Sequence, residues 1–102
     1  MYRARDEVEN EAWLEDLESA AERLGLDASA RSRAGDLFLS NLPDDERSKR
    51  AVMAASLYVA GLVEGDRRSQ ETVAEEVGVA RLTVQQRWKA ILEDAGLDPP
   101  GW

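Results

Sequence analysis

The sequence predicts an all-α fold of five helices that closes on a helix-turn-helix, and three observations carry that prediction. Apolar residues recur at helical spacing in successive segments, with charged residues on the opposite faces. The segment over about 48–63 is apolar nearly all round, which a helix tolerates only when other elements surround it. The stretch Arg68–Leu92, RSQETVAEEVGVARLTVQQRWKAIL, reads as two short helices hinged at Gly78-Val79. No alternating strand pattern, internal repeat or linker interrupts the 102 residues, so a single domain over 1–102 is expected.

Each element has its own local justification. Val8, Ala12, Trp13, Leu17, Ala20, Ala21 and Leu24 line one face of a first helix, with Glu11, Glu15, Glu18 and Glu22 on the other. Gly25 can end it in the left-handed conformation, letting Leu26 fold back onto the helix end. Asp27 or Ser29 caps a second helix with Ala30, Ala34, Leu37 and Phe38 inward, and Asn41-Leu-Pro-Asp-Asp is a loop by composition. Ser48 is expected to cap the third helix, the buried central rod that runs to about Val63. Glu64-Gly65-Asp66 turns the chain, and Ser69 caps the fourth helix with Glu71 near its positive end. Gly78 supplies the exit and Val79 plugs the corner, so the helix-turn-helix occupies about 69–95. The fifth helix starts near Arg81, buries Val84, Trp88, Ile91 and Ala95, and stops before Gly96. Pro99 and Pro100 then forbid continuation through the tail, residues 96–102, where Trp102 either tucks back onto the body or hooks a partner.

Composition removes several classes of function. Without Cys or His there is no disulfide, no thiolate or imidazole metal site, and no nucleophile or acid-base chemistry of those types. The acids fall at solvated helical spacing, and no nucleophile–base pair or Gly-rich phosphate cradle is present. An enzyme is therefore not expected, nor is a cofactor. The longest apolar run, Ala51–Leu62 with Ser56 inside it, is too short to span a bilayer, and MYRARDEVEN carries no apolar signal segment. A cytoplasmic protein with no membrane partner is the expectation.

The net charge of −8 is unevenly spread. Residues 1–46 hold five Arg and thirteen acids, whereas residues 47–92 hold eight cations against five acids. Such asymmetry leaves one face able to meet a polyanion and another that repels it. The cations are eleven Arg and only two Lys, Lys49 and Lys89. An acid-rich, Lys-poor surface suits a halophilic cytoplasm, where salt screens self-repulsion within about 3 Å at 1 M.

The last helix carries three cations and no acid between Arg81 and Leu92. A helix-turn-helix lays its second helix in a DNA major groove, although the same two helices also describe an ordinary corner of an all-α core. Spacing alone leaves both open.

A wider pattern adds to this. RSKRAVMAASLYVAGLVEGDRRSQETVAEEVGVARLTVQQRWKAIL resembles the second cyclin-like repeat of the archaeal transcription factor B and eukaryotic transcription factor IIB family. The resemblance rests on Arg47-Ser48, Val52 through Ala60, Ser69-Gln70, Val73-Ala74, Gly78-Val79, Thr83-Val84, Arg87, the aromatic Trp88 and Lys89. It implies a five-helix cyclin-like domain that docks on the TATA-binding protein and reads DNA through its last helix. Some positions depart from the family pattern. Gln85 stands where the family has Arg, Gln86 where it has Asn, and Arg81 where it has an acid. Ala80 replaces a Ser or Thr cap, at a cost of about 1 kcal/mol to the helix start. The family's zinc ribbon and first repeat have no counterpart here, so a complete initiation factor is not expected.

The residues expected to face DNA are Arg67, Arg68, Ser69 and Gln70 leading into the pair, and Arg81, Leu82, Thr83, Gln85, Gln86, Arg87 and Lys89 on its second helix. Gln can bond adenine at two points, Lys can reach guanine or phosphate, and Leu82 and Thr83 can touch a thymine methyl. Glu71, Glu75 and Glu76 oppose this reading wherever they face phosphate. Phosphate contacts also weaken with salt, with a log–log slope of about −0.9 per neutralised phosphate. Help is therefore expected from homodimerisation, the TATA-binding protein or another transcription factor. The alternative is a protein-interaction module of the transcription machinery whose reading helix is degraded.

Overall fold

A computed structural model describes residues 8–97, and within them the chain is helical with no strand. The helices are α1 (Glu11–Arg23), α2 (Ala28–Ser40), α3 (Lys49–Val63), α4 (Gln70–Val77) and α5 (Arg81–Asp94). A short 3-10 turn, Glu46–Ser48, leads into α3. Trp102 and the first seven residues, on which expectations were also placed, lie outside the described residues.

The expected central rod is α3. Every residue from Ala51 to Gly61 is buried, and α2 and α5 pack most extensively against it, with α1 and α4 completing the shell. Ala51, Ala54, Ala55, Ala60 and Gly61 keep this helix slim, so neighbouring backbones approach closely. Larger side chains fill the remaining space. Tyr58 meets Trp88 of α5 edge to face, with ring centroids 5.5 Å apart and planes at 75°, a preferred aromatic geometry. Buried side chains of all five helices join in one apolar cluster.

The local signals mostly hold. The Asp27 carboxylate accepts the Ala30 N–H at 2.9 Å, and the Ser69 hydroxyl accepts the Thr72 N–H at 3.1 Å. Gly25 has φ 71°, and Leu26, buried behind it, donates its N–H to the Ala21 carbonyl at 3.1 Å.

Four expectations are corrected. Ser48 is already in the right-handed helical conformation and makes no cap bond. Asp45 begins the turn earlier, accepting the Arg47 N–H at 3.0 Å. Val8 is 68% exposed and Ala12 is exposed as well. The helical path breaks at Asn10, a buried residue whose side-chain oxygen accepts from Lys49 Nζ at 2.8 Å. Ala95 is exposed, because α5 ends at Asp94 and Leu92 takes the buried position.

Among the described residues no helix is long and apolar enough to cross a membrane.

Candidate nucleic-acid interface

Packing on α3 fixes which side of the α4–α5 pair faces solvent. Val73, Ala74 and Val77 bury the inner face of α4. Gly78, at φ 86°, turns the chain, and Val79 donates its N–H to the Ala74 carbonyl at 3.0 Å while packing against the core. Val84, Trp88, Ile91 and Leu92 bury the inner face of α5. Trp88 sets the rotation of this helix, since its ring is fully enclosed beside Tyr58.

The opposite stripe of α5 is consequently turned outward. Leu82 is 57% exposed, and Gln85, Gln86 and Lys89 are exposed along with Arg81. At 100° per residue, Leu82, Gln86 and Lys89 lie within roughly 60° of one another. Thr83 and Arg87 are half-buried at the border of this stripe. Arg87 lines a shallow groove with Asn41, Val52, Gln86, Ala90 and Ile91, so the end of α2 flanks α5 on that side. Lys89 lies across the covered indole, its Nζ 5.7 Å from the Trp88 ring centroid, within cation–π range. Ala80 provides no cap bond at the start of α5, as its methyl side chain dictates.

The four residues leading into the pair behave differently. Arg67 is exposed. Arg68, expected to face DNA, is turned into the body of the protein. Its guanidinium donates to the Leu24 carbonyl at 2.8 Å and the Gly25 carbonyl at 3.1 Å, closing the end of α1. The same group pairs with the Asp66 carboxylate at 2.8 Å. Two carbonyls left open at the end of α1 and one carboxylate together outcompete solvent for one forked donor. The Ser69 hydroxyl is used by its own helix, donating to Thr72 Oγ1 at 2.9 Å as well as accepting from the Thr72 N–H. Gln70 is half-buried, and its side-chain carbonyl is turned inward, buried without a hydrogen-bond partner among the described residues. These three side chains therefore build the approach to the pair.

Acids on α4 are split in role. Glu76 is drawn to α1 by Arg23, whose Nε lies 3.0 Å from its carboxylate, whereas Glu71 and Glu75 remain exposed. Along α5 no carboxylate occurs before Glu93, so its outer stripe is cationic or neutral from Arg81 through Lys89. Two carboxylates elsewhere are held below their ordinary range. The Arg68 guanidinium, then the Asp27 N–H, lower Asp66, while Lys49 and then the Trp13 indole N–H lower Glu46. Both stitch helices together rather than line the outer stripe. Among the described residues no group of acids could hold a metal ion.

Sequence reasoning counted Arg50 only as part of the cationic half and missed its task. It donates to the Val77 carbonyl at 3.2 Å, sits 5.2 Å from the Trp13 ring centroid and approaches Asp16 at 3.8 Å. It thereby holds the end of α4 next to the Gly78 turn. Asn41 was read simply as a loop residue, and no local signal places it beside Gln86.

Comparison with known proteins agrees with this architecture. The family model for the transcription factor TFIIB repeat matches residues 14–94. Transcription initiation factor IIB of Pyrococcus abyssi is 35% identical over 83 residues, covering 78% of this chain and 28% of that protein. The Archaeoglobus fulgidus transcription initiation factor IIB is 42% identical over 78 residues, covering 74% and 24%. Transcription initiation factor IIB 2 of Thermococcus kodakarensis is 30% identical over 90 residues, covering 85% and 29%. The chain thus spans less than a third of the length of these relatives, which are transcription factors and not enzymes. The matched span runs from within α1 to the last residue of α5, and with it the chain belongs to the TFIIB repeat family.

Proposed function

We propose that this chain is a DNA-binding transcription regulator, a single cyclin-like domain whose α4 and α5 act as a helix-turn-helix. The observation that carries the reading is the outward stripe of α5, with Leu82, Gln85, Gln86 and Lys89 all accessible to a partner. These side chains offer an apolar contact, two amides and one ammonium, which suit base edges in a major groove. Arg81 and Arg87 flank them at positions that suit phosphates on either wall. One short helix supplies few contacts, so binding is aided by a second copy of the chain or by a protein such as the TATA-binding protein.

A gel shift with promoter duplexes tests this. Gln85→Ala and Lys89→Ala are expected to abolish retention while leaving the helical circular dichroism signal intact. Retention unchanged in both variants would refute the reading.

The second reading is a protein-interaction module of the transcription machinery. It is favoured by the exposed Leu82 together with the exposed carboxylates of Glu71 and Glu75 on the neighbouring helix. Here no duplex is retained at any salt, and a protein partner co-purifies.

Adaptation to high salt is part of the same proposal. Arg supplies the pairs that join α1 to α4 (Arg23–Glu76), α2 to α1 (Arg31–Glu18) and α2 to the end of α3 (Arg33–Glu64). Dialysis into low salt is expected to unfold the chain, and a cooperative fold indifferent to salt would refute the adaptation.

A further inference from the structure

We infer that Leu82 and Gln86 set the base preference of α5, Leu82 against a thymine methyl and Gln86 on an adenine within about two base pairs of it. The inference rests on the DNA-reading proposal above. Apart from Val8 and Leu97, which lie at the two ends of the described segment, Leu82 is the large apolar side chain left exposed among the described residues. A lone exposed leucine needs no explanation. This one, however, sits at the second position of α5, where a reading helix meets base edges. It shares its stripe with Gln86, one turn further on, whose amide forms no hydrogen bond among the described residues.

The chemistry of the base edges narrows the ligand. In the major groove the thymine methyl is the apolar group, so a leucine gains contact there and only desolvates polar atoms on a G·C pair. The Gln86 amide carries a donor and an acceptor side by side, which matches N6 and N7 of adenine. Guanine presents two acceptors instead, and a glutamine amide can satisfy both only poorly. Arginine and lysine are the side chains that read guanine well. The arginines of α5 are badly placed for it, and Lys89, three residues beyond Gln86 with its Nζ over the Trp88 ring, reaches a base pair further along. Arg81 and Arg87 each lie roughly 120° from the centre of the Leu82–Gln86 stripe, towards the groove walls. Four residues advance a helix by about 6 Å, against a rise of about 3.4 Å per base pair. Leu82 and Gln86 therefore meet base pairs one or two steps apart.

Selection from a pool of randomised duplexes, followed by modified bases in the winning site, tests this. Enriched duplexes are expected to carry a thymine and an adenine within about two base pairs of each other. Replacing that thymine by uracil removes the methyl group and should weaken wild-type binding about fourfold, with no change for Leu82→Ala. Replacing the adenine by 7-deazaadenine removes N7 and should weaken wild type about tenfold, with no further loss for Gln86→Ala. Both positions are exposed, so circular dichroism of the variants should match wild type. Enriched sites with G·C at these positions, or modified bases that weaken wild type and variants equally, would overturn the inference while leaving DNA reading intact. A pool from which no duplex is retained, by the chain alone or with a TATA-binding protein added, would overturn both.

Discussion

Replacing Arg68 by Ala separates a structural cation from a DNA-facing one. The guanidinium holds the Leu24 carbonyl at 2.8 Å, the Gly25 carbonyl at 3.1 Å and the Asp66 carboxylate at 2.8 Å, tying the end of α1 to the segment before α4. Shielded hydrogen bonds to a charged group contribute about 1.5–3 kcal/mol each. The Arg68 side chain is 30% exposed, so water replaces part of what is lost, and the longer Gly25 contact adds little. A net cost of about 2–3 kcal/mol follows once that screening is included. For a domain of this size such a loss lowers the melting midpoint by about 10–20 °C. Thermal unfolding followed by circular dichroism at fixed salt measures the shift, and a gel shift run well below both midpoints measures binding. Arg68→Ala should melt early yet bind duplex as wild type does when folded. An unchanged midpoint with lost binding would refute the argument and return Arg68 to the DNA face.

Two further perturbations probe the same region. A methyl group at Gly61 would lie 2.8 Å from the Asp66 carbonyl oxygen, whereas one at Gly35 meets nothing within 4 Å. Gly61→Ala should therefore destabilise by about 1–3 kcal/mol through overpacking against backbone, while Gly35→Ala should stabilise by about 1 kcal/mol through helix propensity; midpoints moving in the same direction would contradict this. Asp66 and Glu46 both titrate below their ordinary values of 3.8 and 4.5, so their contribution is complete above those values and is lost as pH falls through the lower folded ones. The stability gap between wild type and Asp66→Asn should be constant near neutrality and close below about pH 4, and a gap that persists into stronger acid would count against the clasp.

Much of the fold was legible because its signals are local. Capping by Asp27 and Ser69 depends on residues three positions away, and the Gly78 turn depends on one missing Cβ. The Val84–Trp88–Ile91 stripe follows from helical period alone, and it also implied that Leu82, Gln86 and Lys89 lie opposite the core. Misreadings arose where a distant residue competed. Arg68 looked like a phosphate ligand because its acceptors on Leu24 and Gly25 are more than forty positions earlier. Ser48 looked like a cap until Asp45 started the turn before it.

From residue order alone came the five helices, the buried rod and the family to which the repeat belongs, since periodicity, caps and motif spacing are properties of neighbours along the chain. Tertiary structure decided which cations stay available and which become stitching. That choice depends on carbonyls and carboxylates from other helices arriving within about 3 Å of a guanidinium. Only folding brings Leu24, Gly25 and Asp66 to Arg68, or Val77 and Trp13 to Arg50, while leaving Leu82 and Gln86 facing solvent.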